Sequence, residues 1–166
     1  MAARSSSKVT TAIETITAET TSGGSTKYLH LDLADLSAIK PFTTAFLAAE
    51  SRQDVLFNNG GVANVPASVH TPQGLETHLG VNCVRHYLLT QLLSPLLIST
   101  AAASDAKPNR VCVIWSSIML VDVLAPPEGV PPAELDKPST DQDHNYAVSK
   151  TANWFLAARL AKQLRA

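Results

Sequence analysis

Tyr146 and Lys150 lie four residues apart in a segment of helical pattern, so their side chains share one helix face, one turn apart. An ammonium held near a phenol favours the phenolate, which makes a tyrosine a useful general acid or base near neutral pH. Tyr-x-x-x-Lys alone is most often a surface pair, so its meaning depends on what the rest of the chain brings beside it.

The elements that must do this alternate between two periodicities. Apolar runs at Tyr28 to Leu33, Asp54 to Asn58 and Val111 to Trp115 predict strands, the last two buried on both faces. Helical spacing predicts a weak helix over 8–18, a second from Ser37 with Ile39, Phe42, Phe46 and Leu47 inward, and a long one from Gly74 to about residue 98. A last helix runs from Asn145 to about residue 164. Strand and helix in alternation predict one domain over 1–166, a doubly wound parallel sheet of Rossmann-like type. Ligands of such sheets bind outside the carboxyl ends of the strands, where Asp32, Asn58 and Ser117 would share one rim.

Composition narrows the partners. Thirteen basic and fourteen acidic side chains nearly cancel, without the basic stripe that a nucleic acid requires. The most apolar stretch is interrupted by Gln91, Ser94 and Pro95, so no membrane span is expected. No leader pattern opens the chain, and the cytoplasm is the default address. Cys83 and Cys112 read as small buried hydrophobes in a reducing compartment, and no metal site is predicted.

Four short motifs occur in one order: Asn58-Asn59-Gly60-Gly61 after a strand, Val81-Asn82 in the long helix, Trp115-Ser116-Ser117 at a strand end, and Tyr146-Ala-Val-Ser-Lys150. In that order they resemble the short-chain dehydrogenase/reductase family, whose corresponding turn reads Asn-Asn-Ala-Gly. The run from Ser149 to Leu156 is most similar to retinol-dehydrogenase-like members, particularly fungal ones. The resemblance implies hydride transfer between NAD(P) and a carbonyl or alcohol substrate, with Tyr146 as proton donor or acceptor and Ser117 holding the substrate oxygen. It makes Lys150 the partner of Tyr146 and of the nicotinamide ribose, and Asn82 the anchor of a proton-relaying water. Asp32 would contact the adenine, and Asn58 and Gly60 would lie beside the cofactor. Arg4 would favour the extra phosphate of NADP, with NAD as the alternative. Pairing of two copies through the long helices is also implied.

The residues leave other readings open. Asn58 and Asn59 are also good turn formers, Ser116 competes with Ser117, Asn82 could be a core amide bonded to backbone, and Asp32 could cap the following helix. His86 reads as a core residue and His144 as a solvent-facing one. The proline-rich stretch from Asp122 to His144 reads equally as a substrate lid or as a surface loop.

Measured against the family pattern, no Gly-x-x-x-Gly-x-Gly turn lies between a strand and a helix; Gly23-Gly24 follows a helix and precedes a strand. The fold is therefore expected to be incomplete, without the first two strands and the C-terminal ones. In the order 3-2-1-4-5-6 this leaves a gap, which strand three could close by moving beside strand four. Arg85, where relatives carry glycine, is expected to disturb helix pairing. An inactive remnant or interaction module is the alternative to an active enzyme.

Overall fold

The computed structural model describes residues 1–21, 23–119, 121–127 and 129–164; Ser22, in the turn expected between Thr21 and Thr26, falls outside them. The chain forms two parallel ladders. β1 (Ala2–Ala3) pairs with β2 (Leu29–His30), and β3 (Val55–Asn58) pairs with β4 (Cys112–Trp115), residue for residue. Among the described residues no strand joins the two ladders, which is the expected gap. Strand three does not move across it. The amides of Leu29 and Leu31 donate to the carbonyls of Met1 and Ala3 at 2.9 and 3.1 Å, so β2 satisfies its backbone on β1 and has no need of β3.

What holds the ladders in one body is a shared apolar layer. Leu31, Ile39, Phe42, Leu56, Leu89 and Leu93 form one cluster, contributed by the segment after β2, by α2 (Ile39–Ala49), by β3 and by α4 (Arg85–Ala101). Each such side chain contributes about 1.5–3 kcal/mol when fully buried. The other sheet face is different. In β3, Leu56 and Asn58 point inward while Val55 and Phe57 point out, and Phe57 remains 66% exposed. Cys112 is exposed as well, which corrects the expectation of two fully buried strands and of a buried Cys112. An apolar run looks the same whether one face or both are covered, so sequence alone could not tell them apart.

α1 (Ser6–Glu19) forms as expected, with the Ser5 hydroxyl accepting from the Lys8 N–H, but of its apolar stripe only Val9 is buried and Ile16 faces solvent. A 3-10 turn at Leu36–Ala38, capped by Asp35, precedes α2, on which Ile39 and Phe42 are buried while Leu47, expected inward, is exposed near the helix end. The long helix starts later than expected. Gly74 is in a turn at φ +77°, followed by α3 (Thr77–Leu79), a π turn at Gly80–Val84, and α4. Arg85 does not lie on an outer helix face. Its side chain is wholly buried, donating from Nη2 to the Ala34 carbonyl (3.2 Å) and to Gln73 Oε1 (2.8 Å), in space that a Cβ at Gly80 would occupy.

The proline-rich stretch is not structureless. It folds α5 (Val121–Leu124) and α6 (Pro132–Asp136), and α7 (Gln142–Leu164) begins three residues before Asn145. His144 turns back onto that stretch, with Nε2 2.8 Å from Glu134 Oε2, and so is only partly exposed. Among the described residues no helix is long and apolar enough to cross a membrane, and no cluster of His, Cys, Asp or Glu could hold a metal ion.

His86 is buried as expected, its Nδ1 2.9 Å from the Asn82 carbonyl. Burial is the main reason its pKa lies below the ordinary 6.5, so the folded chain keeps it neutral where the unfolded chain takes up a proton. The unfolded state then binds more protons, and stability is lost as pH falls from about 6.5 toward the lowered folded value. Thermal unfolding should therefore move to lower temperature between about pH 7 and about pH 5, and His86→Asn should flatten that dependence.

Candidate active site

The site is built where β4 ends against α7. Lys150 is buried, and its Nζ donates to the Ser116 carbonyl at 3.3 Å, just past the last β4 residue. Asn153, one turn further along α7, donates to the same carbonyl at 3.1 Å. Ser117 answers from the strand side, its hydroxyl donating to the Lys150 carbonyl at 3.1 Å. Three hydrogen bonds thus fasten the strand end to one turn of helix.

Tyr146 is half-buried one turn before Lys150, whose Nζ lies 5.8 Å from the phenol ring centroid. Among the described residues no protein group hydrogen-bonds the Tyr146 hydroxyl, which leaves it available. Burial pushes the Lys150 ammonium below the ordinary lysine value, because the charged form loses water on entering the interior. Gly61 approaches the same nitrogen, with a Cβ built there lying 3.7 Å from Lys150 Nζ.

Asn82 sits in the π turn and links this helix to the glycine turn. Its Oδ1 accepts from the Val62 N–H at 2.8 Å, and its Nδ2 donates to the Val62 carbonyl and to the Ser149 hydroxyl at 3.0 and 3.1 Å. Both of its amide hydrogens are therefore used by protein groups, the core-amide arrangement. Its backbone carbonyl is engaged by His86.

Asn58 is brought near the rim but not into it. Its side chain is 1% exposed and donates to Thr90 Oγ1 at 2.9 Å inside the layer packed against α4, so it supports the sheet from behind and does not line the cavity at the strand ends, where its place beside the cofactor was expected. The rim position belongs to Asn59, whose Oδ1 accepts from the Ser116 hydroxyl at 2.6 Å. Ser116 is thus tied back to the glycine turn, whereas the Ser117 hydroxyl oxygen still has room to accept.

The remaining candidates gather around a second feature. A cavity of about 180 Å³ opens at the carboxyl ends of β1, β2 and β3, lined by Arg4, Asp32, Ala34, Gly60 and Gly61 among others. Arg4 follows β1 directly and is mostly exposed, with Nε 4.0 Å from Asp32 Oδ1. Asp32 closes a local turn by accepting from the Ala34 N–H at 2.8 Å, and it is Asp35, not Asp32, that caps the following helical turn. A Cβ on Gly60 would come within 2.8 Å of Leu33 Cδ1 at this cavity's wall. A larger groove of about 870 Å³ lies between the C-terminal halves of α4 and α7, lined by Leu97, Val111, Val113 and Leu160 among others. It contains none of the chemically competent residues, so size does not mark the site here.

Two relatives match nearly the whole chain. A short-chain dehydrogenase/reductase of Pestalotiopsis fici is 40% identical over 166 residues, covering 98% of this chain and 50% of that protein. One of Phomopsis amygdali is 42% identical over 165 residues, covering 98% and 48%. The chain belongs to the short-chain dehydrogenase/reductase family. Human retinol dehydrogenase 14 is 34% identical over 138 residues, 81% of this chain and 36% of its own length. Among solved structures, a metagenomic short-chain oxidoreductase in complex with NADP superposes with TM-score 0.67 at 28% identity, covering 99% of this chain and 63% of its own. No protein-family model matches the chain. The chain spans about half the length of the curated relatives it matches.

Around this candidate site the sequence motifs pointed to Asn59 but not to Glu76, His78 or Asn153. Only Asn153 carried a signal, since it follows Lys150 by three residues and shares its helix face. The tight approach of Gly61 is directly testable. A Cβ there would lie 2.7 Å from Asn82 Oδ1, an atom held in place by Val62. Gly61→Ala should lower stability by about 1–3 kcal/mol in denaturant unfolding, with Gly24→Ala, which meets nothing within 4 Å, as the neutral control.

Proposed function

We propose that this chain supplies the proton-transfer apparatus of an NAD(P)-dependent oxidoreductase that interconverts a carbonyl and an alcohol. The observation that carries the reading is the buried Lys150 ammonium, held beside both the Tyr146 phenol and the Gly60-Gly61 turn. A buried cation with one carbonyl partner is costly, and active sites are where such a cost is met with a return in reactivity.

In this reading the Tyr146 hydroxyl gives a proton to a carbonyl oxygen, or takes one from an alcohol, as the bond to hydrogen changes at the neighbouring carbon. The Ser117 hydroxyl, whose proton goes to the Lys150 carbonyl, can accept from an alcohol substrate and would turn that proton to a carbonyl oxygen by releasing Lys150, and Lys150 stabilises the phenolate form of Tyr146 electrostatically. When bound, the nicotinamide nucleotide supplies or removes the hydride. The cavity between Arg4, Asp32 and Gly60 fits part of such a group. At about 180 Å³ it is smaller than the ~300–1,000 Å³ of sites for whole small molecules, a size suited to a base and sugar. Asp32 offers an acceptor there and Arg4 a cation for a ribose phosphate, which favours NADP over NAD. Asn82 holds the Val62 turn and Ser149 in register, and with both amide hydrogens engaged it would order a water only through the remaining lone pairs of its oxygens. Pairing of two copies is part of the same proposal, supported by exposed Tyr87 and Ile98 on α4 and Trp154 on α7.

The test is Tyr146→Phe in the protein that contains this segment, followed by NAD(P)H oxidation with a panel of ketones and aldehydes. Turnover should fall by at least roughly a hundredfold while the fold is retained. Undiminished turnover, or no NAD(P)H-dependent turnover in the parent protein, overturns the reading.

A further inference from the structure

Just before α3 lies a buried acid that the proposed chemistry does not use. The Glu76 carboxylate is 4% exposed and meets three donors: Oε1 accepts from the His78 N–H at 3.0 Å and lies 2.7 Å from His78 Nδ1, and Oε2 accepts from the Leu79 N–H at 2.8 Å. A carboxylate in this position can only accept, so the imidazole proton resides on Nδ1. The opposite nitrogen agrees, because Nε2 faces the Val65 N–H at 3.4 Å and a second ring proton there would confront a donor. The two contacts thus fix the orientation of the ring, with Nδ1 toward the carboxylate and Nε2 toward the loop.

That ring is completely buried, and it meets the Tyr146 ring in an edge-type contact, with centroids 5.7 Å apart and planes at 63°. Simple space-filling behind the phenol would be met at lower cost by an apolar side chain, without desolvating an acid and an imidazole together. What the pair adds is direction. The carboxylate fixes the angle of the imidazole, the imidazole fixes the phenol, and Nε2 ties the Val62 to Val65 segment to the same unit. That segment leaves the turn held by Asn82, so the pair joins the phenol to the loop on the other side of the site.

We infer that Glu76 and His78 are positioning residues for Tyr146, acting as one carboxylate–imidazole unit that sets the orientation of the phenol. The inference rests on the oxidoreductase reading for its effect on turnover, and on geometry alone for its effect on the ring. Neither residue touches a reacting atom, so substrate binding should be affected far less than the chemical step.

The experiment uses Glu76→Gln, His78→Phe and the double variant in the protein that contains this segment, each checked for a native circular-dichroism spectrum and cooperative melting. Ring-labelled tyrosine reports on every tyrosine by NMR, with the resonances of Tyr28, Tyr87 and Tyr146 each assigned from the matching Tyr→Phe variant. Glu76→Gln, which makes no contact with the phenol itself, should shift the Tyr146 ring resonances and leave those of Tyr28 and Tyr87 in place. It should lower kcat by roughly tenfold to a hundredfold with KM changed by less than about threefold. Because the two residues act in series, adding Glu76→Gln to His78→Phe should produce almost no further loss. Unmoved Tyr146 resonances in folded Glu76→Gln, or losses that simply multiply in the double variant, overturn the inference. If the parent protein turns over no carbonyl substrate, the oxidoreductase reading alone fails, and the Tyr146 resonances still decide the positioning role.

Discussion

One carbonyl oxygen organises this structure. At the end of β4 the backbone oxygen of Ser116 accepts from both Lys150 and Asn153, and without it the ammonium would be buried with no partner among the described residues. An uncompensated buried charge is among the most destabilising features a protein can contain, so the packing of α7 on the strand end and the burial of Lys150 depend on each other. Tyr146 inherits its position from that arrangement. The Ser117 hydroxyl bonded to the Lys150 carbonyl closes the exchange between strand and helix.

The interior beside this contact is polar to an unusual degree. Glu76, His78, Asn82, Arg85, Asn58 and Ser149 are all buried within the same region, while the leucine-rich layer between α2 and α4 supplies the apolar burial. Most of these groups are satisfied in chains: Asn82 to Val62 and Ser149, Glu76 to His78 and Leu79, Arg85 to Gln73 and Ala34. A few atoms have no protein partner, among them Asn58 Oδ1, Asn153 Oδ1 and two nitrogens of Arg85. Satisfied networks of this kind specify a unique arrangement, and their unpaired members lower stability. A polar interior at the strand ends gives up some stability for fixed angles where proton transfer would occur.

The two ladders follow from the same division of labour. Helices α2 and α4 cover one face and hold both ladders together, whereas Val55, Phe57 and Cys112 stay open on the other. Each ladder satisfies its inner backbone groups within itself, β1 with β2 and β3 with β4.

The ends of β3 and β4, the order of the main helices and the Tyr146/Lys150 pair were legible in the sequence because they rest on local signals: period, turn chemistry and i,i+4 spacing, whereas the strand expected over Tyr28 to Leu33 pairs only at Leu29–His30. The helix starts were less so. Gly74 and Asp141 shifted them by a few residues, since a turn and a cap are decided by backbone geometry that several residue types tolerate. What the chain's order of residues determined, then, is the order of the main strands and helices and the placing of Tyr146 and Lys150 on one helix face. Only the tertiary structure decided the allegiances of the other polar side chains: Asn58 to the core and Asn59 to the rim, Arg85 inward, and His78 behind the phenol. Those choices are made by which buried donors and acceptors find one another across dozens of residues of chain, and hydrogen-bond satisfaction at that range leaves no period in the sequence to read.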